Sequence, residues 1–167
     1  MGIRFLLSIL GLLFFTGLSA QQVDWVKFGG GGYYDSGNGI AVDQNGYSYS
    51  CGSVGNYASY QPLPIWGNDT IKANGSTYGF DGYVVKHDVK GKQLWSISLG
   101  GSVNDVASDI EMIGDTAFVV VGLYGAGNAK FGNISAPNPT SGYNLFVAKF
   151  DTSGTIQWLR TASLSTT

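Results

Sequence analysis

Gly79-Phe80-Asp81-Gly82-Tyr83-Val84-Val85-Lys86-His87-Asp88-Val89-Lys90-Gly91-Lys92-Gln93-Leu94-Trp95 decides the fold, because the chain contains it twice. The second copy runs from Gly142 to Trp158 and reads GYNLFVAKFDTSGTIQW. Without a gap, Gly, Val, Lys, Asp, Gly and Trp recur at 79/142, 84/147, 86/149, 88/151, 91/154 and 95/158, a shift of 63 residues. Repetition at a fixed period marks stacked units that share a core. Within each copy a run apolar on both faces (Tyr83–His87, Phe146–Phe150) precedes an Asp-x-x-Gly turn, and a strand carrying Trp follows.

Working outward, Trp25 lies 70 residues before Trp95, and the segment Val23–Phe28 reads as a third, leading Trp strand. Gly-rich links follow the first two Trp strands, then an Asp at the same shift, Asp35 and Asp105. Gly39–Asp43 and Asp109–Ile113 alternate as strands, with Ile40/Ile110 and Val42/Met112 on one face. Asn45-Gly46 and Gly114-Asp115 are tight-turn dipeptides. Each turn leads into a further strand ending at Gly52 or Gly122. Every repeat thus predicts four antiparallel strands: A (40–43, 110–113), B (47–51, 117–121), C (83–87, 146–150) and D (93–99, 156–162). The repeats differ in length only between B and C, where Trp66-Gly67-Asn68 and Phe131-Gly132-Asn133 predict a small extra strand or tuck.

Four-stranded sheets buried on both faces and repeated radially are the blades of a β-propeller. The expected fold is therefore all-β, with about two four-stranded antiparallel blades of an incomplete propeller. The expected divisions are 1–20, a signal peptide; 21–34, a leading outer strand and Gly-rich link; 35–100, blade 1; and 101–167, blade 2. Single-chain propellers use four to eight blades. The expectation is that these two belong to a longer product, with strand 23–28 closing a ring, or that a homo-oligomer assembles one.

Composition bounds the function. Charged residues make up 12% of the chain and glycines number 26, which suits a turn-rich extracellular protein. A net charge of −2 without a Lys/Arg cluster gives nucleic acid nothing to track. Arg4, the apolar run Phe5–Phe15 and the mostly small residues Thr16–Ala20 read as a secretory signal, too short to span a bilayer comfortably. The expected location is secreted, extracellular or at the cell surface, with no membrane span. Cys51 is the only cysteine and falls on Val121 at the 70-residue shift, so it reads as a small buried hydrophobe.

The repeat resembles the secreted bacterial β-propeller repeat often called the seven-bladed propeller repeat, frequent in surface proteins of the Bacteroidetes type. Ile40-Ala41-Val42-Asp43-Gln44-Asn45-Gly46-Tyr47, Gly52, and the two Asp…Gly…Trp units carry the resemblance over about residues 23–162; the second copy departs from it at Ile113-Gly114-Asp115. It implies a non-enzymatic binding or structural role, as an adhesion or scaffold module. Asp88…Gly91…Trp95 also resembles the tryptophan-docking repeats of quinone-dependent dehydrogenases, and an all-Asp, glycan-active hydrolase is the other enzymatic alternative.

No catalytic constellation is legible. His87, the only histidine, aligns with Phe150 and reads as a packed core residue. Asp43, Asp88 and Asp151 head Asp-x-x-Gly turns that offer one carboxylate each, too few for a hard cation, and read as turn formers. Lys86/Asp88 and Lys149/Asp151 read as a repeated pairing on one strand face. No catalytic residue, metal or cofactor is assigned. Asn68-Asp69-Thr70, Asn74-Gly75-Ser76 and Asn133-Ile134-Ser135 match the N-glycosylation triplet and indicate surface. The long connections 29–39, 53–78, 100–108 and 123–141 all fall at one end of the blades. Tyr33, Tyr34, Tyr57, Tyr60 and Tyr124 lie there, and they are the candidate residues for a protein or glycan ligand.

Overall fold

The computed structural model describes residues 23–31, 33–57, 65–66, 69–70, 78–138 and 142–162; the segment read as a signal lies outside them. Thirteen strands follow one another: β1 (Gly29–Gly30), β2 (Asp35–Val42), β3 (Ser48–Tyr57), β4 (Ile65–Trp66), β5 (Asp69–Thr70), β6 (Tyr78–His87), β7 (Gln93–Gly100), β8 (Asp105–Ile113), β9 (Ala117–Gly125), β10 (Lys130–Phe131), β11 (Ile134–Ser135), β12 (Tyr143–Asp151) and β13 (Ile156–Ala162). β2-β3-β6-β7 form blade 1 and β8-β9-β12-β13 form blade 2, each an antiparallel sheet in chain order. The protein is an all-β stack of two propeller-type blades that does not close into a ring.

The blades meet face to face. Period-two alternation puts Tyr49, Cys51 and Val84 of blade 1 on the face that packs against Phe118, Val120, Phe146, Ala148 and Phe150 of blade 2. Phe118 is the keystone. Its ring lies 5.4 Å from Phe150 and 6.1 Å from Trp95, stacked on both, and 5.2 Å from Tyr49. Cys51 is buried in this seam, and burial pushes its thiol up to about 12, so it is an inert packing group.

Trp95 and its sequence equivalent Trp25 use the same kind of seat. A Cβ on Gly154 would stand 3.5 Å from Trp95 Cδ2, and one on Gly91 would stand 2.6 Å from Trp25 Cδ2. Each indole therefore covers the Asp-x-x-Gly turn of the blade that follows it. Those turns are built alike: Asp88 Oδ1 accepts from the Lys90 and Lys92 amides, and Asp151 Oδ1 from those of Ser153 and Thr155. Asp43 in the A–B turn accepts the Asn45 and Tyr47 amides and the Tyr49 hydroxyl. The carboxylates are consumed by their own loops.

Three expectations are corrected. Val23–Phe28 takes no strand conformation, because no ladder partner exists for it among the described residues; only Gly29–Gly30 pairs, with β4. The strands also run longer than their apolar alternation. β2 begins at Asp35 and β3 ends at Tyr57, carried through Gly, Ser and Asn positions by a bulge at Asn38 that recurs at Ser108. The small extra strands expected around Trp66 and Phe131 are present, and they join the preceding element, for β10 pairs with β7 and β4 pairs with β1. Finally, Lys86 does not pair with Asp88. Its Nζ reaches across the seam to the Thr152 carbonyl at 2.9 Å and lies over the Tyr47 and Tyr49 rings.

Candidate functional site

Two aspartates build the long-connection end. Asp35 Oδ2 accepts the Gly31 amide at 2.7 Å and its Oδ1 the Gly55 amide at 3.1 Å. Asp105 does the same with Gly101 at 2.7 Å and Gly125 at 3.0 Å. Each carboxylate thus ties the link entering a blade to the far end of its second strand. Buried Asp105 is pushed up to about 6, burial outweighing the two amides that favour its charge. The two latches form the platform of this end.

An aromatic ledge stands on the platform. Tyr33 sits against the backbone of Gly55, where a Cβ would come within 2.7 Å of its ring. Its ring stacks on Phe80 at 5.5 Å and meets Tyr34 edge-on at 5.0 Å. Tyr34 is 73% exposed, so the cluster offers a ring to solvent. The Phe80 amide donates to Asn104 Oδ1, whose Nδ2 donates to the hydroxyl of exposed Tyr143 at 3.3 Å. The ledge therefore runs from blade 1 onto blade 2.

Of the five tyrosines read from sequence, Tyr33 and Tyr34 come together here. Tyr124 does not. It is fully buried, packs edge-on against Phe131, and donates its hydroxyl to the Pro137 carbonyl, so its ring is a core group and not a ligand platform. Tyr57 ends β3 by its backbone, and Tyr60 lies outside the described residues. Phe80 and Tyr143 were not singled out in the sequence, although the 63-residue shift superimposes them.

The same latch, bulge and Trp seat, repeated at shifts of 70 and 63 residues, define the unit from which the chain is built. Residues 26–53 match the family model of the beta-propeller repeat SBBP. The matched propeller repeat starts in the leading Trp segment, crosses the Asp35 latch and ends within β3, so it joins the leading segment to the first two strands of blade 1. The equivalent span of the next propeller repeat carries Ile113-Gly114-Asp115-Thr116 in place of Asp43-Gln44-Asn45-Gly46. No curated protein matches the chain.

Among the described residues of this end, Asp35 and Asp105 are each held by two backbone amides. An open hollow of about 640 Å³ runs along Val26–Gly31 to Asp35, but that carboxylate is already held by two amides. His87 is buried on the other side of blade 1 with its ring 5.8 Å from Trp25, and burial, then Lys27, holds its imidazole below the ordinary range. Among the described residues no group of three or more His, Cys, Asp or Glu side chains is placed to hold a metal ion, and no helix is long and apolar enough to cross a membrane.

Proposed function

We propose that the chain is a secreted or cell-surface β-propeller repeat module with a non-enzymatic binding or scaffold role, and that a protein or glycan ligand is taken on the ledge of Tyr34, Tyr33 and Phe80. The observation that carries this reading is an exposed aromatic cluster held beside the Asp35 latch at the long-connection end. Flat rings held at low entropic cost suit stacking on sugar faces and peptide side chains. The engagement of Asp35, Asp43, Asp88, Asp105 and Asp151 by backbone amides favours this reading over a hydrolase, which needs two carboxylates facing across a cleft.

Glycan and peptide arrays probed with the chain test it. Binding found there is expected to fall about tenfold or more in Tyr34→Ala, the loss of one aromatic anchor, and to persist in Asn45→Ala and Lys90→Ala at the short-turn end. Loss confined to the short-turn variants would place the ligand on the opposite end and overturn the assignment.

A further inference from the structure

Residues 23–28 reach over the His87 end of blade 1 and are held there by one side chain. Trp25 alone among them is not exposed; Val23, Val26 and Phe28 are 71%, 59% and 84% exposed. The segment has no ladder partner among the described residues, and an open hollow runs along its end from Val26 to Gly31. It joins the rest of the chain at Gly29–Gly30, which β4 pins, and at Gly31, whose amide Asp35 holds. A strap with a glycine hinge and a single anchor is the result.

The anchor stands on polar ground. At the seam, the row Phe118, Phe150 and Ile156 of blade 2 faces blade 1, and Trp95 stacks on Phe118. On blade 1 the same row, turned away from blade 2, reads Ser48, His87 and Gln93. Trp25 thus has Gly91 beneath it and His87 at 5.8 Å, while Ser48 stands at the position where Trp95 finds Phe118. His87 is 3% exposed. Burial, and then Lys27 of the strap, hold its imidazole below the ordinary range, and Asp88 acts in the opposite sense; these are the charged groups that bear on it among the described residues.

We infer that residues 23–28 form a strap that closes on blade 1 through Trp25, swings on Gly29–Gly31, and is released when His87 takes up a proton. With the strap closed, that proton is buried beside the indole and under the influence of the Lys27 cation. With the strap open, the imidazole meets water and Lys27 is gone. The open form therefore binds the proton more tightly, and falling pH draws the strap open once it passes the ordinary imidazole value of about 6.5. Well above that value both forms are neutral and Trp25 stays seated. The release concerns a different surface from the aromatic ledge and stands independently of any ligand there.

Fluorine NMR of the full chain labelled with 5-fluorotryptophan tests the strap, since each indole gives its own line. Trp25→Phe assigns the line of Trp25, and the difference between light and heavy water reads its exposure. From pH 8 to pH 5 the Trp25 line is expected to move toward the free-indole position and to acquire the full solvent isotope shift, while the lines of Trp95 and Trp158 stay. His87→Phe, which copies Phe150 of blade 2, is expected to keep Trp25 sheltered throughout. Lys27→Gln is expected to open at lower pH than wild type, because the closed imidazole is then relieved of a neighbouring cation. A Trp25 line that stays sheltered to pH 5 in wild type would overturn the release, and one already exposed at pH 8 would overturn the closed strap. Equal opening in wild type and His87→Phe would overturn the part given to His87. Should His87→Phe not fold, opening of Lys27→Gln at the same pH as wild type overturns it instead.

Discussion

Gly52 and Gly114 are both glycine for reasons a side chain would expose, and the reasons differ. A Cβ on Gly52 would stand 1.8 Å from the Ser36 carbonyl oxygen, and one on Gly122 would stand 2.0 Å from that of Val106, because each faces the bulge of the neighbouring strand. Gly114 has open space around it but a φ of 59°. Alanine at 52 must therefore push backbone away, at a cost of about 3 kcal/mol, while alanine at 114 meets only left-handed strain of about 1 kcal/mol. Urea titration of the two variants should show the larger loss at 52. Equal losses would mean that β2 and β3 do not approach as closely as described. The recurrence of these glycines at 70 residues is plain in the sequence, but its cause is not. Gly52 reads there as the end of a strand, whereas β3 continues through it to Tyr57.

That one misread end explains most of what the sequence hid at the level of elements. Apolar alternation stops where Gly, Ser and Asn begin, so each strand was expected to be short, yet main-chain pairing needs no apolar side chain and runs on to the Asp latch. Extending β9 by three residues settles Tyr124 at once: it shares the parity of Phe118 and Val120 and points into the core with them. Tyr33 and Tyr34 lie outside the strands, in the link between β1 and β2. Lys86 reads as paired with Asp88, two residues on, because contacts across the seam are invisible in a single repeat. The latch itself can be tested through its titration. Burial raises the Asp105 carboxyl to about 6, above the ordinary carboxylate value of about 4. The folded state then takes up a proton before the unfolded state does, and this group adds stability as pH falls from about 6 to about 4. Asp105→Asn lacks that gain. The melting temperature of wild type minus that of the variant should therefore grow more positive from pH 7 to pH 4.5. A shrinking difference would mean that the Gly101 and Gly125 amides outweigh burial.

At the scale of the molecule, the sheets alone do not make the fold, since each carries apolar side chains on both faces and is satisfied only when stacked. The seam between the blades holds the larger buried cluster, with Phe118 in contact with aromatic rings from both sheets. A blade that lost this seam would expose Tyr49, Cys51 and Val84 on one side or Val120, Phe146 and Phe150 on the other, so the two should melt together. Phe118→Ala leaves a cavity bounded by Tyr49, Trp95 and Phe150, and is expected to cost about 3–5 kcal/mol. Leu94→Ala, at a position 45% exposed on the same Trp strand, should cost under about 0.5 kcal/mol. Tryptophan fluorescence and far-ultraviolet circular dichroism, followed through one urea titration, should give coincident transitions in wild type and in both variants. If Phe118→Ala instead separates them, so that one sheet survives after the other is lost, then each blade is stable by itself and the seam only joins them. Coincidence with a shifted midpoint would place the stability of the whole stack in the contact between its sheets.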